Sequence, residues 1–281
     1  MNPSLSWLTQ HAAPGVFDRR PGGSSSAHVP RSPRFWKQLE SEWREVARRC
    51  GDGESRRRLD HLYRRLTTAH RGVRESAIAE LEVAAKMVRT GSRVQWLPES
   101  RSRTADLECH VDGDRLYIEV TAMIGAFRQT HGIPAHRALF LHDPEGPVTE
   151  GDVLIHRILA RIAQKARQLS DYWAPVVLAV SVPPQEFLGR AASSAVPLDL
   201  RRLAGALTST LMKLEHLSGV LLSLWDVLPL PATSSVRLAN VHLVERTMRQ
   251  RDHPQVRTVV CNPTARAPLT RPQLDLIRTI L

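Results

Sequence analysis

Asp106 and Glu119 lie on the two arms of one segment, Thr104 to Met123, whose pattern predicts a β-hairpin that sets the two carboxylates side by side. Asp112-Gly113 is a two-residue turn of the kind that favours type I′ geometry. The runs on either side of it alternate polar and apolar residues with period two. If Val111 pairs with Asp114, then Cys109 faces Leu116, Leu107 faces Ile118 and Asp106 faces Glu119. One face of the hairpin is then apolar, while Asp106, Glu119 and Thr121 share the other. Opposed side chains lie about 5 Å apart between Cβ atoms, and like charges placed so repel. A hard divalent cation offsets that repulsion, since Mg²⁺ takes carboxylate oxygens together with water and substrate phosphate. The competing reading is a solvated sheet face with two idle acids.

The elements around the hairpin must position it. Residues 1–31 mix Pro, Gly and Ser, including Gly22-Gly23-Ser24-Ser25-Ser26, and are expected to be largely disordered. A helical, arginine-rich extension is expected over 32–73, as a hairpin of two helices broken near Gly51-Asp52-Gly53. A helix over Glu75–Thr90 follows, with strands at about 93–97, 104–111 and 115–122. Next come a loop over 125–150, a strongly amphipathic helix from Asp152 to Ser170 and a strand from Pro175 to Val182. Later elements are a helix over Asp199–His216, strands over Ser218–Trp225 and Val256–Asn262, and a C-terminal helix from Arg271. Helices alternating with apolar strands indicate an α/β fold with a mixed central sheet flanked by helices, the main domain covering 74–281.

The formal net charge of +11 points to a polyanionic partner such as nucleic acid. Ten arginines against four acids between Arg44 and Arg74 offer a face for phosphates, with a plain solvated helix surface as the alternative. Only four of the 39 cationic side chains are lysines: Lys37, Lys86, Lys165 and Lys213. No apolar run is long enough to span a bilayer, and the N-terminus lacks the pattern of a secretory signal, which predicts a cytoplasmic protein without a membrane partner. Cys50, Cys109 and Cys261 are widely spaced, so buried thiols are expected rather than a disulfide framework or a zinc knuckle.

Three segments together resemble the PD-(D/E)XK, or restriction-endonuclease-like, nuclease superfamily: ESAIAELEVAAKMVRTGSRVQWLPE, TADLECHVDGDRLYIEVTAM, and RILARIAQKARQL leading into APVVLAVSV. They cover roughly residues 74–182, and the resemblance implies an αβββαβ core. Thr104-Ala105-Asp106 stands for the motif's P-D, and Glu119-Val120-Thr121 for its (D/E)-X-K. The implied activity is metal-dependent phosphodiester hydrolysis, of DNA first of all, leaving a 5′-phosphate and a 3′-hydroxyl. Asp106, Glu119 and the Val120 carbonyl would bind Mg²⁺, or Mn²⁺ in its place. Thr121 departs from the motif lysine, which in the family helps position the attacking water and balances charge at the phosphate.

Some relatives supply the cation from a neighbouring helix, and Lys165 is the first choice here. Arg161, Lys165 and Gln168 share a polar edge of their helix, with Arg161, Gln168 and Thr121 as substrate contacts. Lys86 is the second choice, although a pair with Glu82 four residues away explains it more simply. The family's helical glutamate maps best to Glu80, which lies among small and apolar neighbours and so needs a partner or an ion. Glu75 reads as a first-turn acid favoured by the helix dipole.

Two other readings stand beside the nuclease. A nuclease-like scaffold without the lysine could hold nucleic acid and not cut it. Alternatively, Trp36 and Trp43 on one helical face could anchor a protein partner or a second copy of the chain, against simple core packing. Walker, dinucleotide, HExxH and GxSxG signatures are absent, and His131 and His136 read as loop residues without companions at metal-ligand spacing.

Overall fold

The computed structural model describes residues 33–50, 52–98, 104–124, 149–183, 195–230, 241–249 and 253–280. The segment expected to be disordered and most of the long loop, with His131 and His136, lie outside these residues.

Three helices open the described chain: α1 (Pro33–Arg49), α2 (Gly53–Leu66) and α3 (Arg71–Arg89). Asp52 caps α2 by accepting the Ser55 N–H at 2.8 Å. Expected from Glu75, α3 starts a turn earlier because the His70 ring accepts the Val73 N–H. Then come β1 (Arg93–Trp96), β2 (Leu107–Val111), β3 (Asp114–Ala122), α4 (Glu150–Ala166) and β4 (Val176–Val182). The chain continues through β5 (Val196–Leu198), α5 (Leu200–Leu211), β6 (Gly219–Trp225), β7 (Val227–Pro229), β8 (Val241–Arg249), β9 (His253–Cys261) and α6 (Arg271–Ile280).

The hairpin has the expected register, Leu107 opposite Ile118, Cys109 opposite Leu116 and Val111 opposite Asp114. Its turn residues both take positive φ, 51° at Asp112 and 91° at Gly113, as a type I′ turn requires. The main sheet has the order β1-β2-β3-β4-β6-β9-β8. Strands β3, β4 and β6 are parallel, with antiparallel pairs on either side. Parallel neighbours need a crossover, and α4 is the helix that links β3 to β4.

Helices cover both faces of this mixed sheet. Leu39, Leu62, Leu81, Leu107 and Ile118 share one apolar cluster, built from α1, α2, α3 and the hairpin's apolar face. Leu154, Ile158, Leu178, Val180 and Leu207 share the other, under α4 and α5. Strand β4 is almost wholly buried because it is covered on both sides. The same cover corrects the picture of a solvated polar face on the hairpin, since Glu119 and Thr121 are only 5% and 2% exposed. Trp36 and Trp43 pack against the first cluster, Trp43 meeting the Tyr63 ring at 5.6 Å between centroids. Cys50 and Cys109 are buried, whereas Cys261 is half-buried. Among the described residues no helix is long and apolar enough to cross a membrane.

Strands β5, β7 and β8 carry no expectation from the sequence. The first two pair with each other through Val196-Pro197-Leu198 and Val227-Leu228-Pro229, and proline masks a strand signal. They matter because β5 abuts the start of α4. A Cβ on Gly151 would lie 2.6 Å from the Pro197 carbonyl oxygen, whereas one on Gly205 inside α5 would meet nothing within 4 Å. Gly151→Ala is therefore expected to lower the urea midpoint. Gly205→Ala is expected to raise stability by up to about 1 kcal/mol, the helix-interior gain of alanine over glycine.

Candidate active site

Asp106 stands one residue before β2, where the hairpin opens. Its backbone N–H donates to the Ile118 carbonyl at 3.1 Å and its own carbonyl accepts from Leu97 N–H at 3.0 Å. With the main chain held on both sides, the carboxylate reaches back across the hairpin, and Oδ2 accepts the Val120 N–H at 2.8 Å. The other oxygen, Oδ1, faces Arg58 Nη2 at 3.5 Å. In an extended strand the N–H and C=O of one residue point to the same edge, so the Val120 carbonyl lies on the edge that Asp106 caps.

Glu119 projects from β3 toward α4, where Lys165 Nζ donates to its Oε1 at 2.6 Å. Four residues earlier on the same helix, Arg161 donates from Nε at 2.9 Å and Nη2 at 2.7 Å to Thr121 Oγ1. Its remaining arm, Nη1, donates to Gln164 Oε1 at 2.9 Å. The two cations thus sit one turn apart over two alternate residues of β3. Lys165 and not Lys86 meets the acid; Lys86 acts with Arg89 on Glu42 instead.

The structure gives two of the expected residues other surroundings. Glu80, expected to hold a water or a second ion as the third acidic member, is gripped at both oxygens by Arg65 of α2, Nη1 to Oε2 at 2.8 Å and Nη2 to Oε1 at 2.5 Å. Among the described residues, no group of three or more His, Cys, Asp or Glu side chains is placed to hold a metal. What remains for a hard cation is an all-oxygen set: Asp106, Glu119 and the Val120 carbonyl. Gln168, expected beside Lys165, is exposed in the turn beyond α4, which ends at Ala166. Only its backbone N–H returns, to the Lys165 carbonyl at 2.9 Å.

The three acids act on one another. Burial pushes Glu119 up to about 7, the Asp106 charge adds to this, and Lys165 opposes it. Burial and the Asp106 charge likewise push Glu80 up to about 7, against Arg65 and Arg58. Asp106 is raised by burial, with the Val120 N–H the largest opposing influence, followed by Arg58 and Lys165. Raised carboxyls of this kind mark active sites and structural ion-pair networks alike.

Arg58, Arg65 and Tyr172 escape the sequence reading. Both arginines lie on the stripe of α2 that carries Leu62 and Leu66, and a cation at those spacings is the signal that could have found them. Tyr172 accepts the Ala105 N–H at 2.6 Å and packs its ring on Tyr117 with centroids 4.4 Å apart. The hydroxyl thereby fixes the residue before Asp106, a contact between distant segments that no local pattern reveals.

Comparison of the chain with protein-family models, with curated proteins and with solved structures finds no match.

Glu119 and Glu80 bind protons in the fold at pH values where the unfolded chain has released them, between about 4.5 and about 7. Stability in EDTA should therefore fall as pH rises through that window, and Glu119→Gln should flatten the decline in urea titrations run at each pH. Arg65→Ala leaves the buried Glu80 carboxyl without its partner, drives it further toward the protonated form, and should cost about 1–3 kcal/mol near neutral pH. Arg57→Ala, which removes an exposed i,i+3 pair with Glu54, should cost under about 1 kcal/mol in the same measurement.

Proposed function

We propose that the protein is a metal-dependent nuclease that hydrolyses phosphodiester bonds of nucleic acid, DNA first of all, as a divergent member of the PD-(D/E)XK superfamily it resembles. One observation carries the reading: two carboxylates at the open end of a hairpin, Glu119 buried and Asp106 half-buried, with Lys165 in contact with Glu119. The succession α3-β1-β2-β3-α4-β4 supports it, being the helix, three strands, helix and strand of that superfamily's core. The net charge of +11 suits a polyphosphate substrate.

The donors fit Mg²⁺ or Mn²⁺, because Mg²⁺ is usually held by one or two carboxylates and completes its shell with water and phosphate. When bound by Asp106, Glu119 and the Val120 carbonyl, the ion supplies Lewis-acid polarisation of the phosphoryl oxygen. The protein's own residues do the rest. The Val120 N–H aims the Asp106 carboxylate, and Lys165 sets the rotamer of Glu119 while placing an ammonium where the attacking water must be oriented. Arg161, held on Thr121, returns a positive charge to the strand position where the motif lysine is missing. A guanidinium so placed offers donors to a phosphate oxygen. Glu80, gripped by Arg65, backs Asp106.

Thr121 and the engagement of Glu80 by Arg65 favour a second reading, a nuclease-like module that binds nucleic acid without cutting it. Plasmid and single-stranded substrates incubated with Mg²⁺ or Mn²⁺, against EDTA, separate the two. Asp106→Asn and Glu119→Gln should each lower cleavage by more than about 100-fold, the scale of losing a group that acts in the transition state, with unchanged circular dichroism. Unaltered cleavage in either variant overturns the assignment, and gel shifts without cuts by the parent protein give the chain to the second reading.

A further inference from the structure

Trp173 stands apart from every other apolar side chain on the described surface. It is 83% exposed, whereas none of the other exposed large hydrophobic residues passes 49%. An indole left so open forfeits most of the apolar burial that normally holds a tryptophan in place. Among the described residues its ring contact is cationic: the guanidinium carbon of Arg266 lies 5.5 Å from the ring centroid. Arg266 comes from the segment between β9 and α6, anchored by its N–H on the Glu215 carbonyl. Trp173 comes from the segment between α4 and β4, so two separately fixed loops bring the ring and the cation together.

The position of this pair ties it to the acids. Trp173 follows Tyr172, whose hydroxyl accepts the Ala105 N–H next to Asp106, and adjacent Cα atoms are only about 3.8 Å apart. The same short loop therefore touches the segment that leads through Asp106 into β2 and presents an open aromatic face to solvent.

We infer that Trp173 and Arg266 form a stacking platform for an unpaired nucleobase, so that the preferred substrate presents a single-stranded or frayed segment to the carboxylate pair. A base inside a duplex has both faces covered by its neighbours and cannot lie on the indole. A base in a single strand can, and the guanidinium beside the ring meets the phosphate that follows it. The positive charge of the whole chain selects a polyanion over an apolar peptide as the occupant. The substrate preference rests on the nuclease reading; the platform does not.

Fluorescence anisotropy on the full chain in EDTA, with a labelled mixed-sequence single strand and the matching blunt duplex, tests the platform without any cleavage. Trp173→Ala should weaken single-strand binding about ten-fold, the order of one lost stacking contact, and leave the duplex within about two-fold. Trp173→Phe should keep most of the single-strand affinity, and Arg266→Ala should lose part of it. Unchanged single-strand binding in Trp173→Ala, or an equal loss on both nucleic acids, overturns the inference. So does a loss confined to sedimentation with anionic phospholipid vesicles. If the parent protein binds single strands in this Trp173-dependent way yet never cuts with Mg²⁺, the nuclease reading fails and the platform stands.

Discussion

Like charges buried together set the terms for this fold. Glu80, Asp106 and Glu119 each meet a low-dielectric surrounding that disfavours ionisation, and Asp106 disfavours it further in both neighbours. An arrangement of this kind persists only where cations are fixed nearby. Arg65 serves Glu80, Arg58 faces Asp106 and Lys165 serves Glu119. None of these three comes from the strand that carries Glu119, and this explains why two helices on opposite sides of the sheet must both reach the open end of the hairpin.

The crossover helix α4 carries much of this. Its apolar stripe, Leu154, Ile155, Ile158 and Ile162, lies in the core, while Arg161 and Lys165 hang over β3 from the flank of that stripe. Spacing by four residues on the helix matches the two-residue repeat of a strand, so that Lys165 meets Glu119 and Arg161 meets Thr121. The replacement of a strand lysine by threonine is thereby answered from the helix, in a contact where one hydroxyl accepts twice from one guanidinium. Anchored at its start by the Thr149 capping box, α4 has its register over the sheet fixed from the N-terminal end.

Much of this arrangement was legible in the sequence because it depends on local patterns. The Asp112-Gly113 turn and period-two alternation fix the hairpin register, and register alone puts Asp106 beside Glu119. Helical spacing from an apolar stripe likewise brings Arg161 and Lys165 to one edge. What the sequence concealed depends on tertiary packing. Glu80 reads as an acid in need of a partner, but whether that partner is an ion or Arg65 depends on how α2 docks on α3. Gln168 was placed by extending a helix past its actual end at Ala166. Tyr172 and Ala105 belong to segments whose contact is made only when β4 pairs with β3.

The charge partners of the acids come from both helical layers, and this bears on how the molecule acquires its shape. A sheet covered on one side only would keep at least one carboxylate ionised, hydrated and repelling its neighbour, with its cation still on an undocked helix. Compensation is complete only when α2 has settled on one side and α4 on the other. The acidic centre is thus complete only in the closed sandwich, and its local electrostatics depend on the global topology.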